Sequence, residues 1–396
     1  MSAIAPFAGL RYDSSRTGQD LVGLVCPPLF TLGPSRRKAL FQRHPWNWIR
    51  VESGSDDPEI EPGPTVSDHS IEILNRWREE GVMATDPVSL YPCSEKFTAT
   101  VGGIDDRFDR KGFFASVDPG KVSGLSTNAT AGVRRPEVVL HEIPTSVLED
   151  LGIWSAPIVS RFLDDESVER TVHRLDDPKQ IHEIQRVLSE SRLVHLEGSS
   201  SGSGPLLCYL VSVDDPGLIL PPIHRIYREL AIQPGAFLKS LSEIFEVEEL
   251  PYLGADGAES LLSTVRDTHH GFVFRWRNSD TMIFARAPLG SFGPFPGMGK
   301  QHSELDATIL EMVVEGRVLG LPAPSKRMVA SIAESTEGHL AMDFLDSDPH
   351  SSLAVLANPP SARAWFELAS APEAPRVRPM LFPAICSGLV ALPPEP

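Results

Sequence analysis

Residues 176–188, DDPKQIHEIQRVL, place Ile181, Ile184 and Leu188 on one helical face, with Asp177 positioned to cap the first turn and Pro178 opening it. The spacing predicts a helix there. The same period predicts helices over 70–80, where Ile71, Leu74 and Trp77 recur before Gly81, and over 235–245, where Phe237, Leu241 and Ile244 recur. Leu206 to Val213 is a short apolar run with few charges, read as a strand that ends at the turn Asp214-Asp215-Pro216-Gly217. The stretch GFVFRWRNSDTMIFARA alternates on both sides of Asn278-Ser279-Asp280, the pattern of a β-hairpin. Residues 52–68, 119–136 and 287–300 read as loops rich in Gly, Pro or small polar residues. There is no internal repeat and no heptad array. The expected fold class is α/β (mixed α+β), a central mixed sheet with flanking helices.

At 396 residues the chain is long for one core. The expected organisation is an N-terminal α/β domain over 1–230 and a C-terminal α+β portion over 231–396 that completes the fold. No apolar run reaches the roughly 18 to 20 residues that span a bilayer. The opening MSAIAPFAGLRYD lacks the charged start and apolar core of a signal peptide. A cytoplasmic protein is expected, with no membrane partner. Cys26, Cys93, Cys208 and Cys386 are widely spaced, which argues against a metal knuckle or a disulfide framework. No metal site is expected. The formal charge of −17 repels nucleic acid, and the only basic clusters are Arg36-Arg37-Lys38 and Arg134-Arg135.

Candidate chemistry centres on VHLEGSSSGSGPLLCYL (194–210). Gly198-Ser199-Ser200-Ser201-Gly202 matches the GxSxG of a nucleophile elbow, with Ser200 as nucleophile. That motif needs a following helix, whereas here Pro205 and a strand-like run follow. Small consecutive residues can also form a nest for an anion, but there is no lysine for a P-loop. On the residues alone, a flexible surface turn joining two strands is the favoured reading. His141-Glu142, after the run EVVL, could supply an acid or base, and His224-Arg225 could bind an anion. Each pair is also compatible with a hydrogen-bonded structural role. In a strand, His269 and His270 would point to opposite faces and not share a metal.

Several segments in order resemble the DUF1015 family of proteins of unknown function. They are APFAGLRYD, CPPLFTLGPSRRKALFQRHPWNWIRV, RWREEGVMATD, LVSVDDPGLILPPIHRIYREL, LANPPSARAWFELA and LFPAICSGLVAL. The family carries Asp-Gly-His-His-Arg after a strand, similar to a segment of the ParB/sulfiredoxin-like fold, in which related proteins bind nucleotide phosphates and some phosphorylate free serine. The resemblance therefore implies a ParB/sulfiredoxin-like element and a nucleotide-linked site. Alignment on VHLEG puts Glu197 and Gly198 at Asp-Gly, and Ser199, Ser200 and Ser201 at His-His-Arg. Three strong donors have become hydroxyls, which should remove most stabilisation of a transferring phosphate. The family's Pro-His-Glu is Leu140-His141-Glu142 here, and its later Leu-His-Glu is Ile309-Leu310-Glu311.

The reading that follows is a degenerate nucleotide or phosphate site, serving small-metabolite binding or an accessory role that could include a protein partner. The alternative is a surviving small-molecule, serine-like kinase using ATP or ADP with magnesium. It would employ His141, Glu142 and Glu197 as acid/base groups, with Gly198, Ser199, Ser200, Ser201, His224 and Arg225 toward phosphate. A serine hydrolase on Ser200 is the third reading.

Overall fold

The strand Leu206–Ser212 is buried at every residue. Its apolar run is continuous because both of its faces are covered. The computed structural model describes residues 3–18, 20–57, 68–101, 104–125, 135–198, 204–296, 298, 300–322, 332–369 and 379–393. In chain order the strands are β1 (Ile4–Ala5), β2 (Phe7–Tyr12), β3 (Met83–Ser89), β4 (Tyr91–Val101), β5 (Ile104–Val117) and β6 (Val122–Ser123). Next come β7 (Glu137–His141), β8 (Ile158–Leu163), β9 (Glu169–His173), β10 (Leu193–Glu197), β11 (Leu206–Ser212) and β12 (His224–Arg228). Last are β13 (Glu246–Pro251), β14 (His269–Trp276), β15 (Thr281–Pro288), β16 (Ile332–Ser335) and β17 (Ser351–Ala357).

Among the described residues these strands form two large sheets and one β2–β3 ribbon. The first sheet runs β6-β10-β7-β11-β5-β4-β9-β8, with β1 also on β5. Its β10/β6 and β11/β7 pairs are parallel, and the rest are antiparallel. The second runs β13-β15-β14-β17-β12-β16 and is antiparallel throughout. Alternation sorts β11 between two cores: Leu207, Tyr209 and Val211 join the N-terminal helices, while Leu206, Cys208 and Leu210 face helix Pro178–Leu188. The second sheet is likewise covered on both faces. Phe237, Leu310, Val313 and Val314 lie on one side, and Ala258, Leu262, Ala341 and Leu345 on the other. The mixed α/β class expected from the pattern is the class observed.

Local signals hold where side-chain periodicity and caps coincide. Helix Pro178–Leu188 is capped by Asp177, whose side chain accepts from the Lys179 amide at 3.1 Å, and it buries Ile181, Ile184 and Leu188. The helix expected at 70–80 spans Asp68–Glu79 and buries Ile73, Leu74 and Trp77, with Ile71 half-buried. The hairpin forms as β14 and β15, and Asn278 takes the left-handed turn conformation at φ 60°. The 119–136 loop differs in part: Pro119–Lys121 is a 3₁₀ turn followed by β6, because Asp118 accepts from the Gly120 amide and starts the turn.

One charged cluster lies inside the first sheet. Glu95 on β4 accepts from Arg110 of β5 at 2.5 and 2.8 Å and from Arg170 of β9 at 2.8 Å, and all three side chains are fully buried. Asp164 pairs with Arg170, so the charges balance. The remaining guanidinium donors close on main-chain carbonyls of the C-terminal segment: Phe382 at 2.9 Å, Pro383 at 2.6 Å and Ala384 at 3.1 Å. Removing one member would leave a buried charge without its partner. The Glu95→Ala variant is therefore expected to lose about 3–5 kcal/mol of stability in urea unfolding. A loss below about 1 kcal/mol, the value of an exposed pair, would contradict this account.

Candidate functional site

A cleft of about 1110 Å³ opens where one end of the second sheet meets the first. Three strand ends converge there: the start of β12 at Arg225, the start of β14 at His269, and the end of β17 at Ala357. The opposite wall is the tip of the β4–β5 pair (Thr98, Thr100, Phe108), the stretch from Leu218 to Ile223, helix Ala362–Ala369 with Trp365, and Phe382.

His224 is fully buried at the mouth of β12. Its Nδ1 accepts the Ala357 amide at 3.3 Å, so the neutral ring carries its proton on Nε2. That Nε2 has no hydrogen-bond partner and lies 3.7 Å from Glu259 Oε1. Glu259 projects from helix Gly254–Ser263 onto Gly338, the first residue of helix Gly338–Ser347. A Cβ at position 338 would stand 2.2 Å from Glu259 Oε1, so glycine is what admits the carboxylate to the positive end of that helix.

Arg225 donates to Glu315 Oε1 at 2.6 Å and lies 3.3 Å from Glu334, while Tyr227 also donates to Glu315 at 2.7 Å. Glu315 belongs to a π-helix, Leu310–Val318, whose Glu311 lines the cleft. π-Helices are rare and recur at functional sites. Asn358 Nδ2 and Trp365 Nε1 are further buried donors of cleft-lining residues that lack partners. Among the described lining residues, seven carboxylates, including Asp256, Asp306 and Glu337, face two arginines and no lysine. Arg225 is already neutralised, and Asp267 and Asp306 act on Arg266.

The residues singled out from sequence do not gather at one point. His141 lies inside the first sheet, 6.2 Å from the Phe113 ring, and burial lowers its pKa to about 4. Glu142 sits at the surface, where Arg192 holds its carboxyl below the usual range. Arg192 also grips Glu367 at 2.8 Å, and Arg363 approaches Glu142 at 3.9 Å, so Glu142 braces the cleft helix Ala362–Ala369. Glu197 accepts the Leu381 amide at 2.6 Å beside the cleft residue Phe382, and burial raises its pKa. Gly198 has φ +137°, and a Cβ there would meet Glu137 Oε2 at 2.0 Å. Its freedom serves the buried Glu137–His195 pair, joined at 2.6 Å. Ser199, Ser200 and Ser201 lie outside the described residues. Of the pair His224-Arg225, Arg225 lines the cleft, and His224 is buried behind the lining residue Glu259. His269 and His270 do point apart: the first lines the cleft, and the second is buried on Asp306 at 2.7 Å.

Sequence reasoning missed Glu259, Asp306 and Trp365 as cleft groups. Glu259 and Asp306 sit in no recognisable motif; Trp365, like Asn358, carried one signal, lying in the family-like segment LANPPSARAWFELA. Among the described residues no cluster of three or more His, Cys, Asp or Glu side chains could hold a metal ion, and no helix is long and apolar enough to cross a membrane.

Burial of neutral His141 makes stability depend on pH. Its folded pKa is depressed, so the stabilising contribution is complete above the unfolded value near 6.5 and drains away as pH falls toward 4. Between pH 7 and 5 the native chain should lose about 2 kcal/mol more than His141→Gln, read by urea unfolding at each pH. Parallel pH profiles for the two proteins would contradict the assignment.

No curated protein and no solved structure matches this chain. A family model does match residues 4–124, the segment that supplies β1 to β6 and the helices packed on one face of the first sheet. That model is described as a protein of unknown function (DUF1015), so residues 4–124 are what this chain has in common with the DUF1015 family.

Proposed function

We propose that the protein binds a small metabolite in the cleft between its two sheets, and that the phosphoryl chemistry implied by its resemblance is relaxed or replaced. The observation that carries this reading is the pair of buried donors without partners, Asn358 Nδ2 and Trp365 Nε1, on residues that line a cavity of small-molecule size. In an isolated protein such groups are costly, and a ligand that accepts from them would recover that cost. The role is that of a ligand-binding or accessory protein. Glu142 and Glu197 then act as tethers of the cleft walls, not as acid/base groups.

A kinase reading needs cations facing the transferring phosphate. The surplus of carboxylates speaks against it, as does the engagement of Arg225 by Glu315 and Glu334. The hydrolase reading rests on Ser200 and gains no support from the described residues.

A thermal-shift panel of small metabolites of every charge class, with magnesium-ATP included, tests the reading. At a concentration of about 100 times its Kd, a ligand contributes about 2.7 kcal/mol, enough to raise the melting temperature by several degrees. At least one metabolite should do so, and Thr98→Trp, which fills the cleft from an exposed strand position, should abolish the shift. Magnesium-ATP should give none. A magnesium-ATP shift removed by Arg225→Ala would restore phosphoryl transfer as the function.

A further inference from the structure

We infer that the cleft ligand is an arylalkylamine, an organic cation whose ring lies on the wall from the first sheet and whose ammonium meets Glu259. This rests on the cleft being a ligand site, and adds the chemistry of what it takes.

The two faces of the ligand follow from how charge is divided across the cavity. All nine charged side chains among the described lining residues fall between positions 225 and 337, on the side of the second sheet. The facing wall has none. Phe108, Trp365 and Phe382 are its rings, and Ile219, Leu220 and Ile223 add aliphatic surface. Such a wall takes an apolar body, and its rings offer faces on which another ring can pack. A ligand charged on every side would leave charge desolvated and unpaired against it.

The sign of the charged face follows from the lining acids. Seven carboxylates face two arginines, and Glu315 and Glu334 already neutralise Arg225. Asp256, Asp267, Glu304 and Glu337 are exposed to solvent. Asp306 is taken by His270 at 2.7 Å, and Glu311 has a partner of its own. That leaves Glu259. Its side chain is 23% exposed, and His224 Nε2 stands 3.7 Å away, beyond hydrogen-bond reach. An ammonium gives this carboxylate a charge-assisted donor. Asn358 and Trp365 are a separate observation that the acids border a ligand site and not solvent alone. Both line the cleft, at 8% and 3% exposed, and their Nδ2 and Nε1 lack partners. These donors call for an acceptor oxygen, which a phenol supplies.

Calorimetric titration of the full chain with three probes separates the two faces. Tyramine carries the ammonium, the ring and a phenol oxygen. Tyrosol replaces the ammonium with a neutral hydroxyl, and ethanolamine keeps the ammonium without the ring. Tyramine should bind at least about tenfold more tightly than either, the size of one good charge-assisted contact. Glu259→Gln should keep the native circular dichroism and melting, cut tyramine affinity about tenfold and leave tyrosol affinity unchanged. Glu249→Gln, which removes the same charge from an exposed position on β13, should alter neither affinity. Tyramine binding no tighter than tyrosol or ethanolamine overturns the assignment. So does a Glu259→Gln variant that leaves tyramine affinity unchanged or weakens both ligands alike. If tyramine fails while a panel metabolite binds and Thr98→Trp displaces it, the cleft reading stands and only this inference falls. If nothing in the panel or the series binds, both fall.

Discussion

Charge buried in pairs organises this molecule. Glu95 cannot be ionised inside the first sheet without Arg110 and Arg170, and the arginines cannot finish their hydrogen bonds without the carbonyls of residues 382–384. The chain's far end is thus held against strands formed some 270 residues earlier, as the Arg110–Phe382 separation records. Fixing that end places Leu381 on Glu197 and Phe382 in the cleft wall. Hydrophobic burial supplies the bulk of stability, but it is non-directional. The charges are what specify where this segment lies.

The same economy runs through the second sheet, with opposite sign at the surface. Each positive group near the cleft is answered by a carboxylate, and carboxylates remain in excess. Net charge of the whole chain, −17, already pointed away from polyanions. The local balance says the same of phosphate at this cavity, and it does so through named contacts.

How much of this was legible beforehand depended on range. Asp177, Pro178 and the apolar triad after them determine a helix within eleven residues, and the structure keeps it. The alternation around Asn278 likewise sufficed for the hairpin. The order of the family-like segments identified the family that residues 4–124 match. His224-Arg225 was visible as a polar pair after an apolar run, yet its setting was not. Glu259, Glu315, Glu334 and Ala357 lie 35 to 133 positions away in sequence from the residue of the pair they contact, so no local pattern could list them. Glu142 and Glu197 stood out for the same reason, as acids beside strands. Only tertiary contacts reveal that they grip Arg192 and the Leu381 amide.

The π-helix Leu310–Val318 has an evolutionary consequence. Its wider turn is closed by bonds such as Leu319 N–H to Val314 C=O at 2.8 Å. A π turn holds one residue more than an α turn, so losing a single residue here would restore α geometry while moving the residues inside the turn by one position relative to those beyond it. Glu315 holds Arg225 and Tyr227 from within this stretch. The length of the stretch, and not only its composition, therefore sets which side chain meets Arg225.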